Sequence, residues 1–286
     1  MVNNRFLMTE LYELTMANGF FMSGKANEIA HFDLFFRKVP DKGGFAIFAG
    51  LSRMIELIKN ISFTEEDLGY VKSLGLCDEF IDYLRNFKFQ CDIWSVPEGT
   101  PVFPNEPVIK VRGPIVQAQL IETLLLVCMN HQSLVATKAN RLVRAAKGTT
   151  VAEFGTRRSN GFDMAFYGSR AAYIGGCVGT SGVVQGKKFG IPTMNTMIHS
   201  WVQMFESEYE AFCEFARQYP DDCSLVIDTY DTIRSGVPNA IKAFDTVLKP
   251  MGKRPVSVRI DSGDITYLSK KVRKMLDEAG YPDCSI

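Results

Sequence analysis

From residue 148 onward one pattern recurs: a short β-prone run, a cluster of polar side chains, then a stretch with helical apolar spacing. The β-prone runs fall at 150–154, 177–180, 191–197, 225–228 and 256–260. Helical stretches fall between or after them at 162–174, 181–189, 206–218, 238–248 and 265–279. Strands separated by helices of this length predict parallel pairing, in a sheet that is open or closed into a barrel. Residues 284–286 read as the start of a sixth strand.

The first half reads differently. Residues 9–22 have helical spacing with Thr9 as N-cap, and 29–37 alternate as a strand before the turn Asp41-Lys42-Gly43-Gly44. Residues 46–60 and 64–88 read as helical. Pro97, Gly99, Pro101, Pro104 and Pro107 then break 91–112 into short strands and turns, and Pro114 opens a long helix to about residue 147. The predicted class is α/β, with an N-terminal domain at 1–147 and a partial β/α domain at 148–286.

Composition narrows the function. With 46% hydrophobic and 12% aromatic residues and no net charge, the chain of 286 residues has a core to bury and is not disordered. Its 32 basic and 32 acidic side chains argue against a nucleic-acid or membrane-surface binder, so an anionic ligand must be held by a few local cations. Seven scattered cysteines without a C-x-x-C pair point to a reduced intracellular protein. Met1-Val2-Asn3-Asn4-Arg5 does not read as a signal sequence, and the apolar run 120–127 contains Glu122 and is too short to span a bilayer. A cytoplasmic location is expected, with neither nucleic acid nor membrane as partner.

Ligands of parallel α/β folds bind at the carboxyl ends of the strands. Those ends carry Glu153-Phe154-Gly155-Thr156-Arg157-Arg158-Ser159, Gly179-Thr180-Ser181-Gly182, Asn195-Thr196-Met197-Ile198-His199-Ser200, Asp228-Thr229-Tyr230-Asp231-Thr232 and Arg259-Ile260-Asp261-Ser262-Gly263-Asp264. Arg157 and Arg259 suit phosphate or carboxylate. Asp228 and Asp261 suit vicinal hydroxyls, or magnesium held through water. The amides opening a helix after Gly179 suit an anion. Together these describe a sugar-phosphate site. Blander roles compete: Arg157 and Arg158 as surface ion-pair partners, and Asp228 and Asp231 as caps or turn formers. Phe154, His31, His131, the cysteines and the run Met194, Met197, Met204 are assigned to packing.

Leu11-Tyr12-Glu13-Leu14-Thr15-Met16, Glu153-Phe154-Gly155-Thr156-Arg157-Arg158, Gly179-Thr180-Ser181, Thr196-Met197-Ile198-His199-Ser200-Trp201 and Arg259-Ile260-Asp261-Ser262-Gly263-Asp264 stand in the order of a known family. The chain resembles the nicotinate phosphoribosyltransferases, type II phosphoribosyltransferases of NAD salvage. The resemblance implies an N-terminal α/β sandwich-like domain beside an irregular, TIM-like β/α barrel, incomplete in this chain, in a homodimer with shared active sites. It implies transfer of phosphoribosyl from phosphoribosyl pyrophosphate to nicotinate, coupled to ATP with Mg2+.

By resemblance, Phe154 and the partner subunit's Tyr12 stack on the pyridine, while Arg157 and Arg259 face its carboxylate and nearby phosphates. Thr180 and Ser181 line the substrate site. Asp228 and Asp261 serve ribose and magnesium, and Arg259, Asp261 and His199 are catalytic, His199 being phosphorylated by ATP. Amide-using relatives place an aspartate where Ser181 stands, so Ser181 favours the acid. Two departures stand out: Glu10 replaces an aspartate, and Ile198, which adds bulk beside His199, replaces an alanine. Competing readings are a nicotinamide- or quinolinate-type transferase, and an inactive fragment or non-catalytic subunit. Family members run well beyond residue 286, and a C-terminally truncated chain would leave an open barrel edge prone to aggregation.

Overall fold

The computed structural model describes residues 7–286; Met1–Arg5, read above as lacking a signal sequence, lie outside that range. The architecture is mixed α/β, and the chain divides into two compact units, Met1–Met194 and Asn195–Ile286.

In the first unit, helix α1 (Leu11–Met22) precedes strand β1 (Ile29–Leu34), and β2 (Ala46–Ile47) leads into α2 (Leu51–Lys59). The expected helix over 46–60 therefore starts late. Ala46 and Ile47 are instead drawn into pairing with β4 (Pro101–Val102). Helices α3 (Glu65–Ser73) and α4 (Asp78–Arg85) are separated at Gly75, which takes φ +91°. Strands β3 (Asp92–Ser95) and β5 (Ile109–Pro114) complete an antiparallel sheet with the order β1-β5-β3. His31 lies on the exposed face of β1, opposite Arg112, so its assignment to packing is corrected.

Pro114 is followed by α5 (Ile115–Gln119) and α6 (Glu122–Ala145). The stretch Ile115–Ala145 is long and apolar enough to cross a membrane by length and composition, but half of its apolar window is buried inside the protein. Its buried face also carries polar groups that serve the fold. Thr137 Oγ1 accepts from the Ile47 amide at 2.8 Å, and Ser133 Oγ bonds both the amide and the carbonyl of Ala49 at 3.0 Å. These hydroxyls satisfy main-chain groups that would otherwise be buried unpaired, the pattern of a core helix.

Glu13 is fully buried. Its carboxylate accepts from the Thr123 amide at the start of α6, and from the Thr123 and Thr9 hydroxyls. Thr9 therefore serves Glu13 rather than capping α1, whose N-cap is Glu10.

Helices α7 (Phe162–Ile174) and α8 (Val183–Phe189) close the first unit. The expected strands 150–154, 177–180 and 191–197 shrink to two parallel bridges, Glu153–Thr180 and Thr180–Thr193. These bridges and the packing of α7 on α6 hold residues 149–194 with the first compact unit.

The second unit contains α9 (His199–Gln203), α10 (Glu208–Gln218), β6 (Ser224–Val226), α11 (Val237–Ala243), β7 (Ser257–Arg259) and α12 (Ile265–Glu278). Strands β6 and β7 pair in parallel, and Ser285 bridges Ser257 in parallel on the other side, where a sixth strand was expected. Leu225, Val226, Ile227 and Val258 are buried against α10, α11 and α12, each side chain contributing about 1.5–3 kcal/mol through burial. Met197 joins this core, whereas Met204 is 83% exposed and Met194, in the first unit, is half exposed, which corrects their assignment to packing.

Candidate active site

In the first unit the site residues gather around Glu153. Its Oε2 accepts from Ser169 Oγ of α7 at 2.6 Å and from Thr180 Oγ1 at 2.7 Å, while Oε1 accepts from the Gly155 amide. Thr180 is fully buried, and its Oγ1 accepts from the Gly182 amide at 3.0 Å. Its hydroxyl therefore organises the loop that also carries Ser181. Phe154 is 41% exposed and, together with Arg158, Ser159, Lys138 and His131, borders an open cleft of about 390 Å3. The assignment of Phe154 to packing is thereby corrected. Burial lowers the His131 pKa, so this ring is neutral at pH 7.

Arg157 sits exposed on the 3-10 turn Thr156–Arg158, and Ser181 is partly buried with its amide on the Glu153 carbonyl at 2.9 Å. Tyr12 lies on the outer side of α1. Burial, a hydrogen bond with Glu122 and the carboxylates around it raise its hydroxyl pKa to about 12. A proton donor with an apolar ring face is what remains at neutral pH.

In the second unit four expected residues meet. His199, at the N-terminus of α9, has Nδ1 3.1 Å from Thr229 Oγ1 and Nε2 3.5 Å from Asp261 Oδ2. Arg259, leaving β7, donates from Nη2 to Asp261 Oδ1 at 2.6 Å and from Nη1 to the Met197 carbonyl at 3.2 Å. Asp228, just past β6, accepts at Oδ2 from the Asp261 amide at 2.9 Å and from Ser262 Oγ at 2.6 Å. Its Oδ1 is buried without a hydrogen-bond partner. The hydrogen bond from Arg259 is the main cause that holds the Asp261 carboxyl below its usual range; burial opposes it, and the charge of Arg259 and contact with His199 add to it.

Asp231 takes the bland role instead, accepting from the Ile233 and Arg234 amides as a cap. The cysteines carry no disulfide. Burial pushes the Cys223 thiol up to about 12 and those of Cys91 and Cys284 to about 11, so none of these three is a thiolate nucleophile near neutrality.

Residues 7–130 match the N-terminal domain model of nicotinate phosphoribosyltransferase, and residues 149–283 match the nicotinate phosphoribosyltransferase family model. The Bacillus subtilis nicotinate phosphoribosyltransferase is 47% identical over 283 residues, covering 98% of this chain. The chain belongs to the nicotinate phosphoribosyltransferase family. A nicotinate phosphoribosyltransferase of Mycobacterium tuberculosis is 43% identical over 98% of the chain. The crystal structure of human nicotinic acid phosphoribosyltransferase superposes with a TM-score of 0.86 at 30% identity, covering 95% of this chain and 64% of that one. The chain spans 57% of the length of the Bacillus relative and 60% of the Mycobacterium one.

Within this nicotinate phosphoribosyltransferase fold the two departures are mild. Glu10 is the exposed N-cap of α1 and makes no side-chain cap hydrogen bond. Ile198 is 53% exposed, so its extra bulk projects outward rather than into the packed core. Sequence reasoning missed the roles of Glu153, Thr229, Ser262 and Ser169. Thr229 and Ser262 each adjoin a chosen aspartate, which is the signal that could have found them. Ser169 lies inside α7 with no local signal.

Proposed function

We propose that this protein transfers phosphoribosyl from phosphoribosyl pyrophosphate to nicotinate, giving nicotinate mononucleotide and pyrophosphate, with the cost of ATP hydrolysis coupled through His199. The observation that carries this reading is the imidazole held at both nitrogens, by Thr229 and by Asp261, beside Arg259. A neutral ring nitrogen is a nucleophile near pH 7. It takes the γ-phosphoryl of ATP as the bond to the ADP oxygen breaks, and the Asp261 carboxylate steadies the charge that develops on the ring. In this reading Arg259 stabilises phosphate oxygens, while Phe154, Arg157 and Ser181 receive the pyridine acid, with Tyr12 supplied by a second copy of the chain.

Glycosyl transfer at the anomeric carbon proceeds through an oxocarbenium-like transition state, so stabilising the departing pyrophosphate matters more than a strong base. The buried, unpartnered Oδ1 of Asp228 and the neighbouring Asp261 carboxylate fit a magnesium ion held through water. Among the described residues no cluster of three or more His, Cys, Asp or Glu side chains could hold a metal, which suits an ion carried largely by substrate phosphates. When bound, the ion neutralises charge on the pyrophosphate leaving group. We further propose a cytoplasmic location and a homodimer.

The test is His199→Ala, with ATP-stimulated and ATP-independent transfer measured separately. The expected outcome is loss of ATP stimulation with slow transfer retained; equal loss of both defeats the role given to His199. Nicotinate, nicotinamide and quinolinate offered in parallel distinguish the acid-specific reading from its alternatives, and no turnover of any of them favours a non-catalytic subunit.

A further inference from the structure

Glu153 belongs to no step of the reaction above, yet both of its carboxylate oxygens are engaged by three donors. Its two oxygens accept from the Gly155 amide, Ser169 Oγ and Thr180 Oγ1. Its main chain bridges the same segments: the Glu153 amide donates to the Gly179 carbonyl at 2.9 Å, and the Ser181 amide donates to the Glu153 carbonyl at 2.9 Å. Thr180 extends the chain of contacts to the Gly182 amide. The donors come from three separate segments, namely the turn after Glu153, the body of α7 and the loop that opens α8. All are hydroxyls or amides, so the carboxylate serves as a multidentate acceptor rather than as an ion-pair partner. Close approach is built in at Gly155, where an added Cβ would stand 3.0 Å from Glu153 Oε1.

We infer that Glu153 is a positioning residue that fixes loop 154–158 against loop 180–182, and thereby sets the spacing between Phe154 and Arg157 on one side and Ser181 on the other. The inference rests on the proposed function for its consequence: the distance across the pyridine acid is set by one carboxylate that does not touch it. A change at Glu153 therefore weakens nicotinate binding from both sides at once. It leaves phosphorylation of His199, in the other unit, intact.

The experiment compares wild type with Glu153→Ala, Glu153→Gln and Thr180→Val in the full chain. It reads nicotinate KM and kcat, ATP-driven phosphorylation of His199, and hydrogen exchange at the Gly155 and Gly182 amides. Loss of charge-assisted hydrogen bonds in Glu153→Ala should raise nicotinate KM by about tenfold or more and speed exchange at both amides by a similar factor. The rate of His199 phosphorylation should stay within about twofold of wild type, since the partners of Glu153 named above all belong to the first unit. Glu153→Gln keeps one carbonyl for the Gly155 amide and should fall between wild type and alanine. Thr180→Val should free the Gly182 amide and remove one donor from Glu153, while leaving the Gly155 amide bonded.

Unchanged nicotinate KM in Glu153→Ala overturns the inference, as does parallel loss of His199 phosphorylation in all three variants, which would mark general unfolding. If the wild-type protein does not use nicotinate, the proposed function fails. The exchange data then decide the positioning role by themselves, and unchanged exchange at Gly155 and Gly182 refutes it.

Discussion

Arg259 and Asp261 stand two residues apart at the end of one strand and face each other, Nη2 to Oδ1 at 2.6 Å, while the second oxygen of Asp261 reaches His199. A guanidinium is thus coupled to an imidazole through one carboxylate, and that carboxylate is 41% exposed. Such a pairing adds little to stability but fixes which ionic form His199 meets.

The coupling has a pH signature. Arg259 holds the Asp261 carboxyl below its usual range, chiefly by hydrogen bonding. A depressed carboxyl contributes stability above its unfolded value and loses that contribution as pH falls through the folded value. Replacing Arg259 with glutamine should move the Asp261 titration upward, toward an ordinary aspartate. A carboxyl-carbon NMR titration of both proteins checks this, and an unmoved midpoint would contradict it.

Ser181 tests substrate choice. A carboxylate at this position would repel a pyridine acid and accept from a pyridine amide. Ser181→Asp should raise KM for nicotinate by about tenfold or more and lower KM for nicotinamide. Competition kinetics with both substrates present decide the matter.

Glu13 tests the fold without touching the chemistry. It is fully buried and accepts at the start of α6, where the helix dipole favours a negative charge. Glu13→Ala should cost about 2 kcal/mol in urea unfolding, from the lost cap and the unsatisfied Thr123 amide. Glu13→Gln should cost less, because one oxygen still accepts.

Local pattern made much of this molecule legible. Helix α7 occupies the stretch its apolar spacing marked, and His199, Arg259, Asp261 and Asp228 cluster as their strand-end positions indicated. The missing parts depend on partners distant in sequence. Ala46 and Ile47 join a strand because Val102, Pro101 and Thr137 meet them, which no window around residue 46 contains. Glu13 looks like a surface helix residue until Thr123 is placed beside it. Thr180 has the chemistry of a ligand contact, and only the position of Glu153 shows that its hydroxyl is already engaged. Types of side chain and their order along the chain were readable; which donor each acceptor meets was not.

Strand β7 has a neighbour on each side, β6 through the Ile227 amide and residue 285 through the Val258 amide. Among the described residues, the strand that delivers Arg259, with Asp261 just beyond it, is thus paired on both edges. Opening it requires both flanking pairings to break, so it should be among the last segments of its unit to open as the protein breathes. Asp261, two residues past Arg259, is tied to the same frame through its amide, which donates to Asp228 Oδ2. Pairing on both edges thereby steadies the strand that carries the guanidinium, while the carboxylate it meets lies in the turn just beyond.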